Sequence, residues 1–563
     1  MRGNGMRNLR ILYSLLVFLV VIATTLAESD EQIIVNSKDW QDVYSGSLLA
    51  VFKGIEYHYV IEETQAITML ESLNQQKRNA LVIESKTKPF LFGYKSNLEN
   101  KGMTPQVYYS VDIYTTNLDM AQRSGAKKFI LIDDGFGYNA LSVVPLAVQD
   151  KAFVLFVNKR NIDKVTSFLQ RVRPESLLLF GRLDREVKEA LTSYKSDIVN
   201  TGDRFSDNIE AMRRFYLKSK SQQIILTNGE FIEPGIMVGT NPIFFIGSNQ
   251  VPSQVIDFLK NNPYAEVGIV VGNDLTQPAK KIRDAVGIKV LIKFAQGRSS
   301  QLLSLDYFPM PKYQLQMAIK SVKYNTLTKQ LEVTYENQAP VPSYAKATSH
   351  DIYTGDSNNP NRANVGKVGD TEPFFIESKE IKTVTYPIDL GEYFNQDVFV
   401  DSSVIYGESP NSLERILVGK TKLTFIQIKD DSEAEIESVE YNKVTGRFEV
   451  VIQNKGENTV FARPVLMAVV VAGDRQIFGG DMTEIIVGEK GVVKIRASLQ
   501  GPDFADNEKI HVKLLYGSRP EALIKSLERD LDLVVKQSIP VTWIFIAVLV
   551  LIILFLLSRQ KRK

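Results

Sequence analysis

The 563-residue chain contains no cysteine and only three histidines. The absence of cysteine excludes disulfide frameworks, cysteine nucleophiles and cysteine-based zinc sites. His58, His350 and His511 are spread over more than 450 residues, and none has a second histidine at the i, i+4 spacing of a zinc helix. No G-x-S-x-G nucleophile motif is present either. These absences argue against the common hydrolase and metalloprotease classes.

The chain also lacks a strong net charge. It carries 67 Lys+Arg and 65 Asp+Glu, and seven of the cations fall in the terminal segments 1–27 and 541–563, which contain no acid. The intervening stretch therefore has 60 cations against 65 anions, a net charge of −5. A mildly acidic surface of this kind offers no electrostatic footprint for nucleic acid.

The two ends of the chain predict its compartment. Residues 1–27 combine a basic start, an apolar run and a final small residue, Ala27, which is typical of a cleaved signal peptide. Residues 541–557 are uncharged and almost wholly apolar, and the basic tail 558–563 follows directly. We expect a single-pass cell-membrane protein with its N-terminus outside and an extracytoplasmic ectodomain. An uncleaved N-terminal anchor and a buried helix at 541–557 are the alternatives.

Internal repeats organise the first half of the ectodomain. Residues 112–119 are similar to residues 203–210, 91 positions later, and the apolar runs 153–157 and 177–180 recur at shifts of 90 and 91. Amphipathic stretches such as 162–173 and 183–195 predict helices between the apolar strands. Continuous apolar strands that alternate with such helices predict parallel sheets covered on both faces. The sequence therefore predicts three α/β modules, at 36–122, 123–213 and 214–305, of which the first is the most divergent.

The order of motifs in these modules resembles the cell wall-binding repeat 2 family, whose modules occur in tandem on prokaryotic surface proteins. The resemblance begins with an apolar strand that leads into Asp133 and Asp134 (129–135) and a helix-like segment (138–147). Two further apolar strands (153–157 and 177–181) and a Gly-Asp-Arg-aromatic signature (201–205) follow. The resemblance implies a three-module unit that docks to envelope polymer, with Asp203, Arg204 and Phe205 as binding residues. The signature is altered in the other modules, where Ile113 replaces the arginine and residues 296–299 read Gln-Gly-Arg-Ser.

The second half has a different pattern, with alternating apolar and polar residues that are typical of half-buried antiparallel strands. Residues 319–333 align with residues 436–450 at a shift of 117. This repeat predicts two β-sandwiches, at 314–428 and 432–536, joined by a charged linker. The second sandwich resembles the bacterial cell-adhesion-related Ig-like domains, on the basis of a strand, an Asn-Lys-Gly turn at 454–456 and two further strands.

Three acids are candidates for a metal site. Asp133 and Asp134 follow one predicted strand and Glu84 ends another, and acids at the carboxyl ends of parallel strands face the crevice of an open sheet. Calcium or magnesium would suit such oxygen ligands, whereas helix capping is the structural alternative. The glycine pair Gly135 and Gly137 also fits a dinucleotide-binding turn, but the adjacent carboxylates would repel a pyrophosphate.

Asp203 and Arg204 also have two interpretations. Asp203 is placed to cap the helix that follows it, and Arg204 either pairs with a carboxylate of a neighbouring module or contacts an anionic ligand through its planar donor fork.

Together these patterns predict a non-enzymatic surface protein. Its partners would be envelope polymer or neighbouring surface proteins, and its role adhesive or structural. Receptor-like capture of a soluble ligand is the second hypothesis, and an extracytoplasmic hydrolase or nucleotide enzyme is the third. The sequence is compatible with an oligomer.

Overall fold

The computed structural model describes residues 30–74, 76–293, 306–312, 314–355 and 362–536. The chain divides into two compact units, one up to Tyr313 and one from Gln314 onward. The predicted signal peptide, the apolar segment 541–557 and the tail 558–563 lie outside the described ranges. None of the helices in those ranges has the length and apolar character needed to cross a membrane.

The first unit is built from three four-stranded sheets, each wholly parallel, as the sequence predicts. The first sheet and its helices comprise β1 (Gln32–Asn36), α1 (Trp40–Lys53), β2 (Glu56–Tyr59), α2 (Glu63–Ser72), β3 (Asn79–Ser85), α3 (Tyr94–Asn100) and β4 (Thr104–Ser110), followed by the connecting helix α4 (Ile113–Ser124). The second comprises β5 (Lys128–Ile132), α5 (Gly137–Asp150), β6 (Ala152–Phe156), α6 (Ile162–Val172), β7 (Ser176–Phe180), α7 (Arg185–Ala190) and β8 (Ser196–Val199), followed by the connecting helix α8 (Arg204–Tyr216).

The third module repeats this plan with one addition. It comprises β9 (Gln223–Thr227), β10 (Phe231–Ile232), α9 (Pro234–Met237), β11 (Ile243–Phe245), α10 (Ser253–Lys260), β12 (Val267–Val271), α11 (Thr276–Val286) and β13 (Lys289–Lys293). The strand orders are β2-β1-β3-β4, β6-β5-β7-β8 and β11-β9-β12-β13, so the topology is the same in all three modules. The addition is a short antiparallel pair between β10 and β14 (Phe308–Pro309).

The apolar runs of the sequence form buried strands, both central ones such as β1 and edge ones such as β6. All residues of β1 and β6 are buried, because helices cover both faces of each sheet. One predicted helix is shorter than expected, since α7 covers only part of 183–195. The hydroxyl of Thr192 donates to the carbonyl of Glu189 at 2.8 Å, and the chain turns there to enter β8.

Within the residues that the structure describes, the second unit consists of β strands and two short helical turns, in agreement with the predicted all-β half. Its first half comprises β15 (Met317–Asn325), β16 (Gln330–Asn337), β17 (Ser343–Thr354), β18 (Ala363–Val368), β19 (Phe374–Ile376), β20 (Ile381–Pro387), a 3-10 turn (Gly391–Tyr393), β21 (Val398–Gly407), β22 (Arg415–Lys422) and β23 (Thr424–Ile426). Its second half comprises β24 (Ala434–Asn442), β25 (Arg447–Asn454), β26 (Val460–Val471), β27 (Asp474–Gly479), β28 (Thr483–Ile485), β29 (Lys490–Arg496), α12 (Asp503–Asp506), β30 (Lys509–Gly517), β31 (Lys525–Asp532) and β32 (Val534–Lys536).

The 117-residue repeat corresponds to a repeated β architecture. Each half has its own hydrophobic core between two sheets, and in each the last strand returns to pair in parallel with the first. The register shifts between Ile319 and Ser321 in β15, and between Ile436 and Ser438 at the matching place in β24. The repeated sequence therefore encodes the same bulge twice.

Buried ion pairs join the two halves of the second unit. The guanidinium of Arg519 donates to both carboxylate oxygens of Glu332 at 3.0 and 2.9 Å, and the two side chains are 11% and 2% exposed. Arg463 forms a second ion pair between the halves, with Glu380 at 2.7 Å. These contacts join residues of one half to residues of the other, so the two halves pack against each other.

Candidate functional site at the module junctions

The repeated Asp-x-x-x-x-Asn pattern builds the junctions between the α/β modules. Asp112 accepts backbone N–H groups of Tyr114 and Thr115 at the start of α4, and Asp203 accepts those of Phe205 and Ser206 at the start of α8. Both aspartates are thus N-caps, which fixes where each connecting helix begins. The position predicted to bind through Asp203 is therefore a capping position.

A buried asparagine in each connecting helix links one module to the next. The Asn117 amide donates to the Ser45 hydroxyl of α1 and to the Val154 carbonyl of β6, both at 3.0 Å, and its oxygen accepts the N–H of Phe156. These contacts give the backbone groups at the buried edge of β6 hydrogen-bond partners, and they connect β6 with the preceding module.

The same arrangement recurs at the second junction. The Asn208 amide donates to the Ser142 hydroxyl at 3.2 Å and to the Ile243 carbonyl at 2.9 Å, and its oxygen accepts the N–H of Phe245. The repeat signature thus encodes module-to-module attachment.

Arg204 and Phe205 lie at this second junction. Arg204 is 8% exposed, and its guanidinium carbon is 3.9 Å from the ring centroid of Tyr138, which belongs to the preceding module. Phe205 is buried and packs edge-on to Phe245 of the following module, with ring centroids 6.4 Å apart. The guanidinium of Arg204 therefore makes cation–π contacts at this junction with Tyr138 and, at 4.8 Å from the ring centroid, with the neighbouring Phe205. The third copy of the signature, at 296–299, lies outside the described residues.

Residues 306–312, here called the closing segment, join the third module to the other two. The Tyr59 hydroxyl of the first module donates to the Asp306 carbonyl at 2.5 Å, and the Phe308 ring packs edge-on to Tyr59 at 5.9 Å. The Met310 N–H donates to the Glu230 carbonyl at 2.8 Å. The first and third modules also contact each other directly, because the Tyr57 hydroxyl donates to the Pro234 carbonyl at 3.1 Å. The three modules consequently form a closed arrangement.

The candidate dinucleotide turn is occupied by this closing segment. A Cβ atom on Gly137 would lie 2.4 Å from the Met310 Cε atom, so the methionine side chain packs directly against the glycine. The backbone N–H of Gly135 donates to Asp133 instead of pointing to a ligand. Gly137 therefore permits close packing between parts of the chain.

The three candidate metal ligands do not converge. Asp134 accepts the Tyr114 hydroxyl at 2.6 Å and the Asn158 amide at 3.0 Å, whereas Glu84 accepts the Asn36 amide at 3.0 Å in the first module. Asp133 accepts the Asn139 amide at 2.6 Å; burial raises its pKa, and this hydrogen bond opposes the shift. Across the ranges that the structure describes, no group of three or more His, Cys, Asp or Glu is placed to hold a metal ion. The calcium or magnesium site suggested by these acids stays a prediction, and in the described structure the three acids accept hydrogen bonds at separate places.

Two further acids are buried, Asp42 in α1 and Asp207 in the connecting helix α8, and the sequence patterns did not indicate them. Asp42 is 1% exposed and accepts the hydroxyls of Ser37 and Ser110 at 2.7 and 3.1 Å; burial raises its pKa to about 6. Asp207 is 3% exposed and accepts the N–H and hydroxyl of Thr201; burial raises its pKa to about 6 as well. Both lie among neutral hydroxyl and amide donors, so the desolvation of the carboxylate is only partly offset.

A groove on the third module was also missed. It lies between α8, α10 and the turn 261–264, and its lining includes Tyr216, Phe258 and Tyr264. Tyr216 and Tyr264 have ring centroids 6.1 Å apart and an interplanar angle of 19°. The available signal was a departure from the repeat, since Tyr216 replaces Gly125 at a shift of 91.

Comparison with known proteins finds similarity in structure only. No family model matches the chain, and no curated protein matches it. Among solved structures, Cwp6 from Clostridium difficile is similar at 14% identity with a TM-score of 0.35, covering 47% of this chain and 55% of that chain. Cwp8 from Clostridium difficile is similar at 14% identity with a TM-score of 0.40, covering 46% and 48%. The chain thus spans about half the length of these two proteins.

Proposed function

We propose that the protein is a membrane-anchored cell-surface protein whose α/β unit binds or organises envelope polymer or neighbouring surface proteins. The observation that carries this proposal is the fixed, closed arrangement of three modules of equal topology. Repeated units held in one geometry present repeated weak binding surfaces, and such surfaces gain avidity because binding at one raises the effective concentration at the others.

The residues at the strand ends support binding in preference to catalysis. Asp134 is hydrogen-bonded to Tyr114 and Asn158, and Gly137 is covered by Met310. The side chains that sequence patterns suggest for chemistry thus stabilise the junctions. The terminal segments 1–27 and 541–557 support export and a single membrane anchor through their composition.

Sedimentation with isolated envelope material tests this function. We expect residues 28–540, purified as a soluble protein, to sediment with the envelope and to be displaced by soluble envelope polymer. Residues 314–536, which carry their own two cores, are the matched control and should stay in solution. Failure of the longer protein to sediment, together with saturable binding of one small metabolite in a thermal-shift screen, would favour soluble-ligand capture instead.

A further inference from the structure

A network of hydrogen bonds lies in the core of the first half of the second unit, here called the β unit. In this His350 network, the ring nitrogen Nε2 of His350 is 2.8 Å from the Tyr335 hydroxyl, and Nδ1 is 2.8 Å from the Ser402 hydroxyl. The Tyr335 hydroxyl is 3.2 Å from that of Tyr386, which is hydrogen-bonded to the Asp370 carboxylate. All of these side chains except Asp370 are buried, so the polar groups depend on one another for hydrogen bonds.

The fold does not require these polar groups. The second half of the β unit has the same strand order, and the register of its sheets identifies the matching positions. Buried apolar residues occupy four of them; the pairs are His350 and Leu466, Ser402 and Val512, Tyr335 and Ile452, and Tyr386 and Ile495. A core of this architecture therefore forms without such hydrogen bonds, and the His350 network is an addition of the first half.

The carboxylate of Asp370 fixes the direction of the hydrogen bonds. Because an ionised carboxylate only accepts, the Tyr386 hydroxyl donates to it. The Tyr386 oxygen then accepts from Tyr335, and the Tyr335 oxygen in turn accepts from the Nε2–H group of His350. Nδ1 is left as the acceptor for the Ser402 hydroxyl. The geometry thus selects a neutral imidazole that carries its proton on Nε2.

A proton added to His350 breaks this arrangement at Ser402. An imidazolium donates from both ring nitrogens, so the Ser402 hydroxyl must accept and turn its own hydrogen away. Within the part of the protein that the structure describes, no second hydrogen-bond partner of that hydroxyl is present. The cation is also buried, and burial lowers the pKa of His350 to about 4. Closure of the first half therefore depends on a neutral histidine.

The charged groups around His350 offset this effect only in part. Asp351, its neighbour on the same strand, favours the cation, but burial outweighs it. Asp370 lies beyond the two tyrosines, and Lys346 and Lys382 lie beside it. Burial raises the pKa of Asp370, so this carboxyl takes up a proton as the pH falls, which favours the closed state. Burial raises the pKa of both tyrosines as well, and they stay neutral.

We propose that the His350 network makes the first half of the β unit an acid-sensitive switch, which opens its core to water as His350 takes up a proton while the second half stays closed. Residues 314–428 connect the α/β unit to the second half along the chain, so acid acts on that connection. The inference concerns the β unit and does not depend on what the α/β unit binds.

The small number of histidines makes the network directly observable by NMR. In residues 28–540, isotope-labelled histidine gives ring signals from His58, His350 and His511 only, and the signal that is lost in His350→Gln identifies His350. We expect His350 to be protonated on Nε2 alone at pH 7 and to stay neutral at pH 5.5 in the closed protein. A proton on Nδ1 at pH 7, or an imidazolium at pH 5.5 in the closed protein, would overturn the proposed network.

Hydrogen exchange at pH 7 and pH 4 measures the opening. We expect core amides of the first half, such as that of Val333, to lose protection by up to about 100-fold after correction for the pH dependence of the exchange chemistry. This is the factor for a group whose pKa is 6.5 in the open state and about 4 in the closed state. The matching amide of Val450 in the second half should lose less. An equal loss in both halves would overturn the proposal.

Two variants separate the switch from a general effect of acid. His350→Leu combined with Ser402→Val introduces the residues of the second half, and His350→Gln keeps a donor and an acceptor without a titrating group. In both variants the difference between the two halves should disappear, and His350→Gln decides the matter if the double variant does not fold. His511→Gln, on the surface of the second half, is the control and should keep the difference. A difference that persists in His350→Gln would contradict the assignment to His350.

Discussion

Removal of Arg519 should uncouple the two halves of the β unit. The Arg519 guanidinium donates two hydrogen bonds to Glu332, which is 2% exposed, and the Asn325 amide 3.4 Å away is the other donor described at that carboxylate. Truncation to alanine leaves a buried carboxylate with one weak partner, and breaking a buried pair in this way costs about 3–5 kcal/mol. Separation of the halves, which admits water to the carboxylate, reduces this cost.

The assay is equilibrium unfolding of residues 314–536 in guanidinium chloride, followed by fluorescence and circular dichroism. We expect one shared transition in the unchanged protein and two separate transitions, or a loss of about 3–5 kcal/mol, in Arg519→Ala. Lys490→Ala is the matched control because its pair with Glu437 is exposed, and exposed pairs contribute at most about 1 kcal/mol. A single transition in Arg519→Ala, with an unfolding free energy within about 0.5 kcal/mol of the unchanged protein, would refute the reasoning.

Four further expectations concern buried polar groups and topology. Asp42→Asn should stabilise the α/β unit at pH 7 by about 3 kcal/mol. The pKa of Asp42 in the folded protein is about 6, above its ordinary 3.8, so the unchanged protein loses stability as the pH rises from 3.8 to 6. Thermal melts at pH 4 and pH 7 should therefore show the gain of the variant at pH 7 only. The pH dependence that His350 contributes has the opposite direction, because burial lowers its pKa to about 4. The β unit should lose up to about 3 kcal/mol of stability as the pH falls from 6.5 to 4. His350→Gln should flatten that part of the pH profile in urea titrations. Asn208→Ala should destabilise the α/β unit by about 2–4 kcal/mol in denaturant, against less than about 0.5 kcal/mol for the exposed Asn261→Ala, because the Phe245 N–H and the Ile243 carbonyl lose their partner. Protease treatment of intact cells should release fragments of residues 28–540, and protection of that stretch with cleavage of the tail would contradict the predicted topology.

Sequence periodicity was sufficient for the parallel α/β modules, the all-β second half and the existence of repeats. The alternation of apolar runs with amphipathic stretches predicted the parallel sheets, and the 117-residue repeat predicted two similar β halves. The matching bulge in both halves was not predicted. The helix predicted over 183–195 ended early because local hydrogen bonding by Thr192 competes with the helix, an effect that periodicity does not register.

The site was less predictable because its contacts depend on tertiary structure. Asp133 and Asp134 had the chemistry of metal ligands, but their hydrogen-bond partners come from other segments, and sequence spacing does not identify them. Asn117 and Asn208 were visible as a repeated residue, yet nothing local indicates that the repeated amide bonds a neighbouring module. The groove tyrosines were detectable only by asking where one repeat departs from the other.

The closing segment has a consequence for the order in which the protein can mature. The hydrogen bond from Tyr59 to Asp306 spans 247 residues, so the first module cannot complete its contacts until residue 306 has been synthesised. Chains emerge N-terminus first at about 5–20 residues per second, which leaves the first module without its final partner for about 10–50 seconds. During that interval the Tyr57, Tyr59 and Phe90 surface that later contacts the third module and the closing segment is available to chaperones and to other nascent chains. Truncations that end before the closing segment should accordingly be more prone to aggregation than truncations that end after residue 312.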